Sequence, residues 1–301
     1  MSQTILITGS CGLIGHALAA ALRARGHTVR GLDLVAPEPT ERGDVTDAAL
    51  LYTALANVDG VVHLAAVSRV VTAERDPARC RVTNVDGTRN VLAAAAASPA
   101  RPWVVVASSR EVYGQSDTLP VTEDAPRRPL NVYARSKCAA EDLALAARRD
   151  GVRVAIARFS NVYGSARDHR DRVVPAFARA ALAGEPLRVE GSDRLFDFTH
   201  VDDVTRALLA LTERFRADAG PTTPLHFVSG IGTTLAELAG LAVSLTDARS
   251  AIVEAPPRDY DVARFVGDPT RAARELGWRA EIPLRDGLAR LIADLRAEVS
   301  R

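Results

Sequence analysis

The sequence predicts an α/β protein: a doubly wound parallel sheet followed by a smaller C-terminal α/β lobe. Three features predict it. Short β-branched runs alternate with helical patterns as far as Arg158, as βαβ units require. Those runs are apolar nearly throughout, as strands covered on both faces must be. A glycine-rich turn, Gly9–Gly15, separates the first run from the first helix, where doubly wound sheets bind their ligands.

In chain order, Thr4–Thr8 reads as the first strand, and the helix after the glycine turn runs to Ala24. His27–Leu32, Gly60–Ala65, Trp103–Ala107 and Arg153–Arg158 read as further strands. Asp47–Leu55, Val82–Ala97 and Tyr133–Arg149 carry apolar residues at helical spacing. Beyond about residue 165 the alternation loosens. Val173–Gly184 reads as helix, and Asp202–Phe215 is a helix whose paired Asp202 and Asp203 suit its N-terminus. Thr234 and Glu237 form a capping-box pattern for Leu235–Ser244. Pro256–Pro257 marks a loop, and Leu284–Val299 an amphipathic terminal helix. Residues 1–165 are expected to form the sheet-based domain, with a return segment near 195–215. Residues 166–301 are expected to form mainly the second lobe.

Composition narrows the class. The 301 residues are 47% hydrophobic and 25% charged, which suits a folded soluble chain. A net charge of +1 gives no pull toward nucleic acid or an anionic membrane. The longest apolar runs, such as Val91–Ala97, fall far short of the ~20 residues of a membrane span. The N-terminus lacks a secretory pattern, and Cys11, Cys80 and Cys138 are too scattered for disulfides or zinc. The six histidines show no metal-ligand spacing. A cytoplasmic protein without a metal is expected. Arg167–Arg172 reads as a solvated loop, or a border of the ligand cleft, rather than a nucleic-acid patch. Of the 38 basic residues, only Lys137 is a lysine. Its small ammonium head is therefore expected to be required where it stands.

The turn carries Gly9, Gly12 and Gly15, a G-x-x-G-x-x-G spacing. Such a turn lets backbone approach a pyrophosphate at a helix N-terminus, with Leu13 and Ile14 in the first helical turn. It also serves as a plain tight βα turn. Asp33 ends the second strand, 18 positions after Gly15. A carboxylate there accepts from an adenosine ribose and repels a 2′-phosphate, favouring NAD; the alternative is a solvated turn residue. Asp44 and Val45 suit either an adenine contact or a helix cap.

Tyr133 and Lys137 stand at i and i+4, on one helix face. A free phenol titrates near ~10; a neighbouring ammonium is expected to lower that value and make the tyrosine a base. The fourth strand delivers Ser108 and Ser109 to its C-terminal end, where a hydroxyl meets a sugar oxygen or simply closes an ST-turn.

Together these residues resemble the extended short-chain dehydrogenase/reductase family, in its NAD-dependent nucleotide-sugar epimerase/dehydratase branch, over nearly the whole chain. The further marks are His63-Leu64-Ala65-Ala66, Asn84-Val85-Asp86-Gly87-Thr88, Ser108-Ser109-Arg110-Glu111-Val112-Tyr113-Gly114, Arg158-Phe159-Ser160-Asn161-Val162-Tyr163-Gly164, Val174-Pro175, Asp197-Phe198-Thr199-His200-Val201-Asp202-Asp203 and Arg258-Asp259-Tyr260-Asp261. The resemblance implies a Rossmann-type sheet with a smaller substrate lobe. It implies Ser109, Tyr133 and Lys137 as a catalytic trio. Leu64, Ala65, Ala66, Asn84, Ala107, Phe159 and Val162 are implied on the NAD side. Asn161, Val174, Pro175 and Arg258 are implied around the sugar nucleotide. A homodimer through the helices around Asn84–Ala97 and Tyr133–Arg149 is implied as well.

Three positions depart from the family pattern. Phe196 stands where many relatives carry arginine, leaving the diphosphate to Arg258 and Arg194. Ser68 stands where several epimerases place a lysine. Arg110 replaces the acid of the Asp-Glu pair that dehydratases use, while Glu111, which also suits a structural carboxylate, is kept. The expected activity is therefore 4-epimerisation of a nucleoside-diphosphate sugar, with UDP the expected handle, through a transient 4-keto sugar. A dehydratase or decarboxylase using Glu111 is the alternative. A non-catalytic NAD-binding protein is the alternative of another class.

Overall fold

The computed structural model describes residues 2–217, 220, 223–247, 249–258 and 262–299. Asp259, Tyr260 and Asp261 of the Arg258 motif lie outside the described residues. The first half contains β1 (Thr4–Thr8), α1 (Leu13–Ala24), β2 (Thr28–Leu32), α2 (Ala48–Ala54), β3 (Gly60–His63), α3 (Val70–Arg75), α4 (Pro77–Arg81), α5 (Gly87–Ala97), β4 (Trp103–Ser109), α6 (Val132–Arg149) and β5 (Val154–Phe159). Then follow β6 (Asn161–Tyr163), α7 (Val173–Ala183), β7 (Leu187–Glu190), β8 (Leu195–His200), α8 (Val201–Arg216), β9 (Leu225–Phe227), β10 (Gly232–Thr234), α9 (Leu235–Ser244), β11 (Ile252–Ala255), α10 (Thr270–Leu276) and α11 (Leu284–Val299).

Alternation along the strands builds two cores. In β1, Ile5 and Ile7 face Leu18 and Leu22 of α1 and Val204 and Leu208 of α8. Leu6, between them, faces the opposite layer, with Leu51 of α2, Val91 of α5 and Ala144 of α6. The resulting sheet is parallel, in the order β2-β1-β3-β4-β5-β9. Its strand order reverses between β1 and β3, so a crevice opens beyond the carboxyl ends of those two strands. The glycine turn and Leu64–Ala66 leave from those ends. A third core gathers α7, α9 and α11 over β7 and β8, through Phe177, Leu238, Leu291 and Val189. Among the described residues, no helix is long and apolar enough to cross a membrane.

Several elements differ from expectation. The helix predicted from Val82 opens with a π-helical turn, Val82–Asp86, before α5 begins. The short α3 and α4 were not expected, although Asp76 caps α4 by accepting from Arg79 N at 2.9 Å and Pro77 opens it. The segment near 195–215 supplies β8 and α8, and α8 packs in the main-sheet core; β9, which was not expected, adds a strand beside β5. The capping box at Thr234 and Glu237 forms as predicted.

Two histidines are buried neutral in this scaffold. His63 lies between the hydroxyls of Thr8 (2.7 Å) and Thr88 (3.0 Å). Thr88 donates its own proton to the Asn84 carbonyl, so it accepts from His63 Nε2, leaving Nδ1 to accept from Thr8. His226 meets the Tyr113 hydroxyl at 2.5 Å. Burial pushes both imidazoles down to about 3. The unfolded chain protonates them near 6.5 and the folded chain only near 3, so their contribution is full above about pH 6.5 and is lost as pH falls toward 3. Each is expected to cost a few kcal/mol across that window. Urea unfolding of His63→Gln and His226→Gln between pH 6.5 and 4 should give shallower losses than the parent chain; parallel curves would contradict the assignment.

Candidate active site

The glycine turn is fixed by packing on one side and open on the other. Gly9 has φ +73°, and a Cβ there would lie 2.7 Å from Ala65 N. A Cβ on Gly15 would lie 2.2 Å from Gly9 O. At Gly12 a Cβ would meet only Gly9 O, at 3.4 Å. Gly12 is also the N-cap of α1 and brings no side chain to the first-turn N–H groups of Leu13 and Ile14. Asp33 accepts from Cys11 N at 3.0 Å and from Val35 N at 3.1 Å, which pins a carboxylate across the tip of the turn. Leu64 and Ala65 are tied back to Thr8 at 3.0 and 3.3 Å, with Ala66 next in chain. An open backbone cradle at a helix head, flanked by a fixed acid, fits a dinucleotide pyrophosphate and ribose. The cap role left open for Asp44 belongs to Asp47, which accepts from Leu50 N at 3.0 Å. Asp44 instead closes a turn on Thr46 N at 2.9 Å, and Val45 is buried beside it.

The Tyr133 face of α6 meets the end of β4. Asn131 caps α6 through Ala134 N at 2.8 Å. The Tyr133 ring is buried against Ala73 and Cys80, and Ser109 Oγ accepts from Glu111 N at 3.2 Å. Of the two readings of Ser109, the turn closure is the one this hydrogen bond makes. Lys137 Nζ donates to the Ala107 carbonyl at 2.9 Å and lies 5.8 Å from the Tyr133 ring centroid. Asn84 holds the frame from the π-helical turn. It accepts from Val67 N at 2.7 Å and donates to Val67 O at 3.0 Å and to Ser136 Oγ at 2.9 Å. Its side chain thus ties the loop after β3 to α6.

The expected lowering of the phenol is not present in the protein alone. Burial pushes Tyr133 up to about 12, against the pull of the Ser109 hydroxyl and the Arg172 charge. Burial pushes Lys137 down to about 8. Desolvation opposes the charged form of each group, and it outweighs one ammonium seen across a ring.

Arg110 and Glu111 form a buried ion pair, Nη2 to Oε1, at 3.0 Å. Glu111 Oε2 accepts from Asn131 Nδ2 at 3.0 Å. The Arg110 guanidinium lies 4.5 Å from the Phe196 ring centroid, a cation–π contact. Sequence reasoning missed the network below. Arg158 donates to both oxygens of Glu141 at 2.8 and 2.6 Å, and to the Tyr113 hydroxyl at 2.5 Å. Ser108 Oγ donates to the same carboxylate at 2.6 Å. Nothing in an apolar strand such as Val154–Phe159 marks its arginine as one half of a core ion pair.

Phe159, at the end of β5, and Val162 are buried in the main-sheet core; Val174 and Pro175 are buried in α7 of the opposite lobe, and Asn161 Nδ2 is buried with no hydrogen-bond partner. Arg258 pairs with Glu190 at 2.9 Å. Arg194 donates to the carbonyls of Val262 at 3.2 Å and Arg258 at 3.0 Å, so it braces the segment that carries Arg258. Ser68 Oγ accepts from Arg172 at 3.1 Å, and Arg69 pairs with Asp171. A cavity of about 340 Å³ is lined by Arg69, Val71, Arg75, Asp171, Glu190 and Arg258. Arg69 and Arg75 were not singled out from the sequence; Arg172 ends the run Arg167–Arg172, read there as a solvated loop or a border of the ligand cleft.

The profile of the NAD dependent epimerase/dehydratase family matches residues 5–225. The chain is similar to the dTDP-glucose 4,6-dehydratase of Streptomyces griseus, at 33% identity over 97% of this chain and 94% of that protein. It is 32% identical to the UDP-glucose 4-epimerase of Mycolicibacterium smegmatis, over 97% of this chain and 98% of that protein. Among solved structures, MoeE5 in complex with UDP-glucose and NAD shares the fold with a TM-score of 0.90 at 34% identity, over 98% of this chain and 99% of that one. Relatives of two reaction types thus match almost equally well.

Proposed function

The chain belongs to the NAD dependent epimerase/dehydratase family, and from that membership we propose that it is a nucleoside-diphosphate-sugar 4-epimerase, with UDP as the handle. The observation that carries the choice is the buried Arg110–Glu111 pair. Both Glu111 oxygens are engaged, one by Arg110 and one by Asn131. A dehydratase or a decarboxylase acting through Glu111 would need that carboxylate free to move a proton, and no acid stands at Arg110 to protonate a leaving hydroxyl.

NAD, when bound, supplies a reversible hydride acceptor and a positively charged nicotinamide ring. The residues of the chain handle the proton and the orientation. Ser109 holds the sugar 4-oxygen beside Tyr133. Tyr133 takes the hydroxyl proton as C4 is oxidised to a transient ketone, and gives it back once the sugar has presented its other face. Lys137 keeps a cation next to the phenolate while its head stays anchored on Ala107 O. On the nucleotide side, Asn161 and Arg258 are the proposed diphosphate contacts, with Arg194 bracing Arg258, and Val174 and Pro175 lie toward the base. The same reading takes the protein as a cytoplasmic homodimer joined through α5 and α6, which light scattering of the purified protein would check.

The test is incubation of the NAD-loaded protein with a panel of nucleotide sugars, followed by NMR of the products. A C4 epimer is expected. A 4-keto-6-deoxy sugar, an unsaturated sugar or released carbon dioxide would favour the Glu111 reactions. Retained NAD with no turnover of any sugar would favour a binding protein.

A further inference from the structure

Arg110 carries a donor that the fold leaves unused. Nη2 reaches Glu111, and the guanidinium lies 4.5 Å from the ring centroid of Phe196 and 5.9 Å from that of Phe265. Nη1 is buried with no hydrogen-bond partner, in a residue only 9% exposed. A buried N–H without an acceptor is unfavourable, and this one belongs to the residue that follows the end of β4. Arg110 directly follows Ser109, whose Oγ accepts from Glu111 N at 3.2 Å, and Glu111 is joined through Asn131 to the start of α6, the helix that carries Tyr133.

We infer that Arg110 determines sugar specificity: Nη1 receives the oxygen of an uncharged hydroxyl or hydroxymethyl on a carbon beside C4, and Glu111 turns away a carboxylate in that place. The inference rests on the nucleotide-sugar reading above. Its sign follows from the charges. Arg110 and Glu111 already cancel, so a hydroxyl satisfies the donor without burying a net charge. A sugar carboxylate would leave the buried trio negative, with two carboxylates sharing one guanidinium. Glu111 is not free to swing aside, because Asn131 holds its second oxygen from the cap of α6.

The experiment measures kcat/KM of the NAD-loaded protein on UDP-glucose, UDP-6-deoxyglucose and UDP-glucuronic acid. UDP-glucose is expected to exceed each of the others by at least about tenfold, since a site built to bond a hydroxyl discriminates against its absence. Glu111→Gln should raise the glucuronate-to-glucose ratio by at least about tenfold by freeing the guanidinium charge. Arg110→Met should bring UDP-glucose down toward the 6-deoxy sugar. A preference for the glucuronate, equal turnover of all three by the parent enzyme, or an unchanged ratio in Glu111→Gln would overturn the inference alone. Failure to turn over any of them would overturn the nucleotide-sugar reading, and the inference with it. The parent enzyme's panel decides even if a variant fails to fold.

Discussion

Tyr133→Phe is expected to lower kcat by about 10²- to 10⁴-fold, the range of a positioned acid–base group, while the protein still binds NAD. The substitution removes one oxygen from a buried ring and leaves the ring's packing against Ala73 and Cys80. The glycine turn and Asp33 lie on other elements, so dinucleotide binding should persist. Folding is not threatened, because Ser109 keeps its bond to the Glu111 amide and no charged group loses its partner. Turnover by the variant within about twofold of the parent enzyme would mean that the proton passes elsewhere.

The second large effect is on stability. Glu141→Ala is expected to destabilise the fold by about 3–5 kcal/mol, the cost of stranding a buried charge. Glu141 is 1% exposed and Arg158 is 4% exposed, and the pair also holds Ser108. Without the carboxylate, the guanidinium keeps only Tyr113 and the Glu123 carbonyl, at 2.9 Å. A fall in Tm on the order of 10 °C follows for a chain of this size. The double variant Glu141→Leu with Arg158→Met should lose less than Glu141→Ala alone, because no unpaired charge remains. If the single change left Tm within about 2 °C, or if the double were much worse, the network would not be the ion pair described here.

Legibility in the sequence followed the physics of each part. The strands of the main sheet were readable because they are buried on both faces and hence apolar in long runs, as in Trp103–Val106. The glycine turn, Asp33 and the Tyr133–Lys137 pair were readable because their chemistry depends on spacing along a single turn or helix. The three-residue β9 has no periodicity to read, and its place beside β5 is decided by packing across the whole chain. Arg158 with Glu141 joins residues from a strand and a helix, so neither segment announces the pair. The tyrosine was misjudged for a different reason. Spacing showed the ammonium nearby but not how completely the pocket excludes water, and burial set the direction of the shift. The Arg110–Glu111 pair was visible as two adjacent letters, whereas its locking by Asn131 and Phe196 depends on the folded chain.

In the proposed reaction this site moves one hydrogen at C4 and leaves C5 alone. It is tested most directly with UDP-glucose deuterated at C4, incubated with the NAD-loaded enzyme in ordinary water and read by NMR. The expected product is a C4 epimer that keeps its deuterium at C4, with no hydrogen exchanged at C5 when the reaction is repeated in deuterium oxide. Solvent label at C5, or deuterium carried to C6 of a 4-keto-6-deoxy sugar, would contradict it and place Glu111 in the reaction.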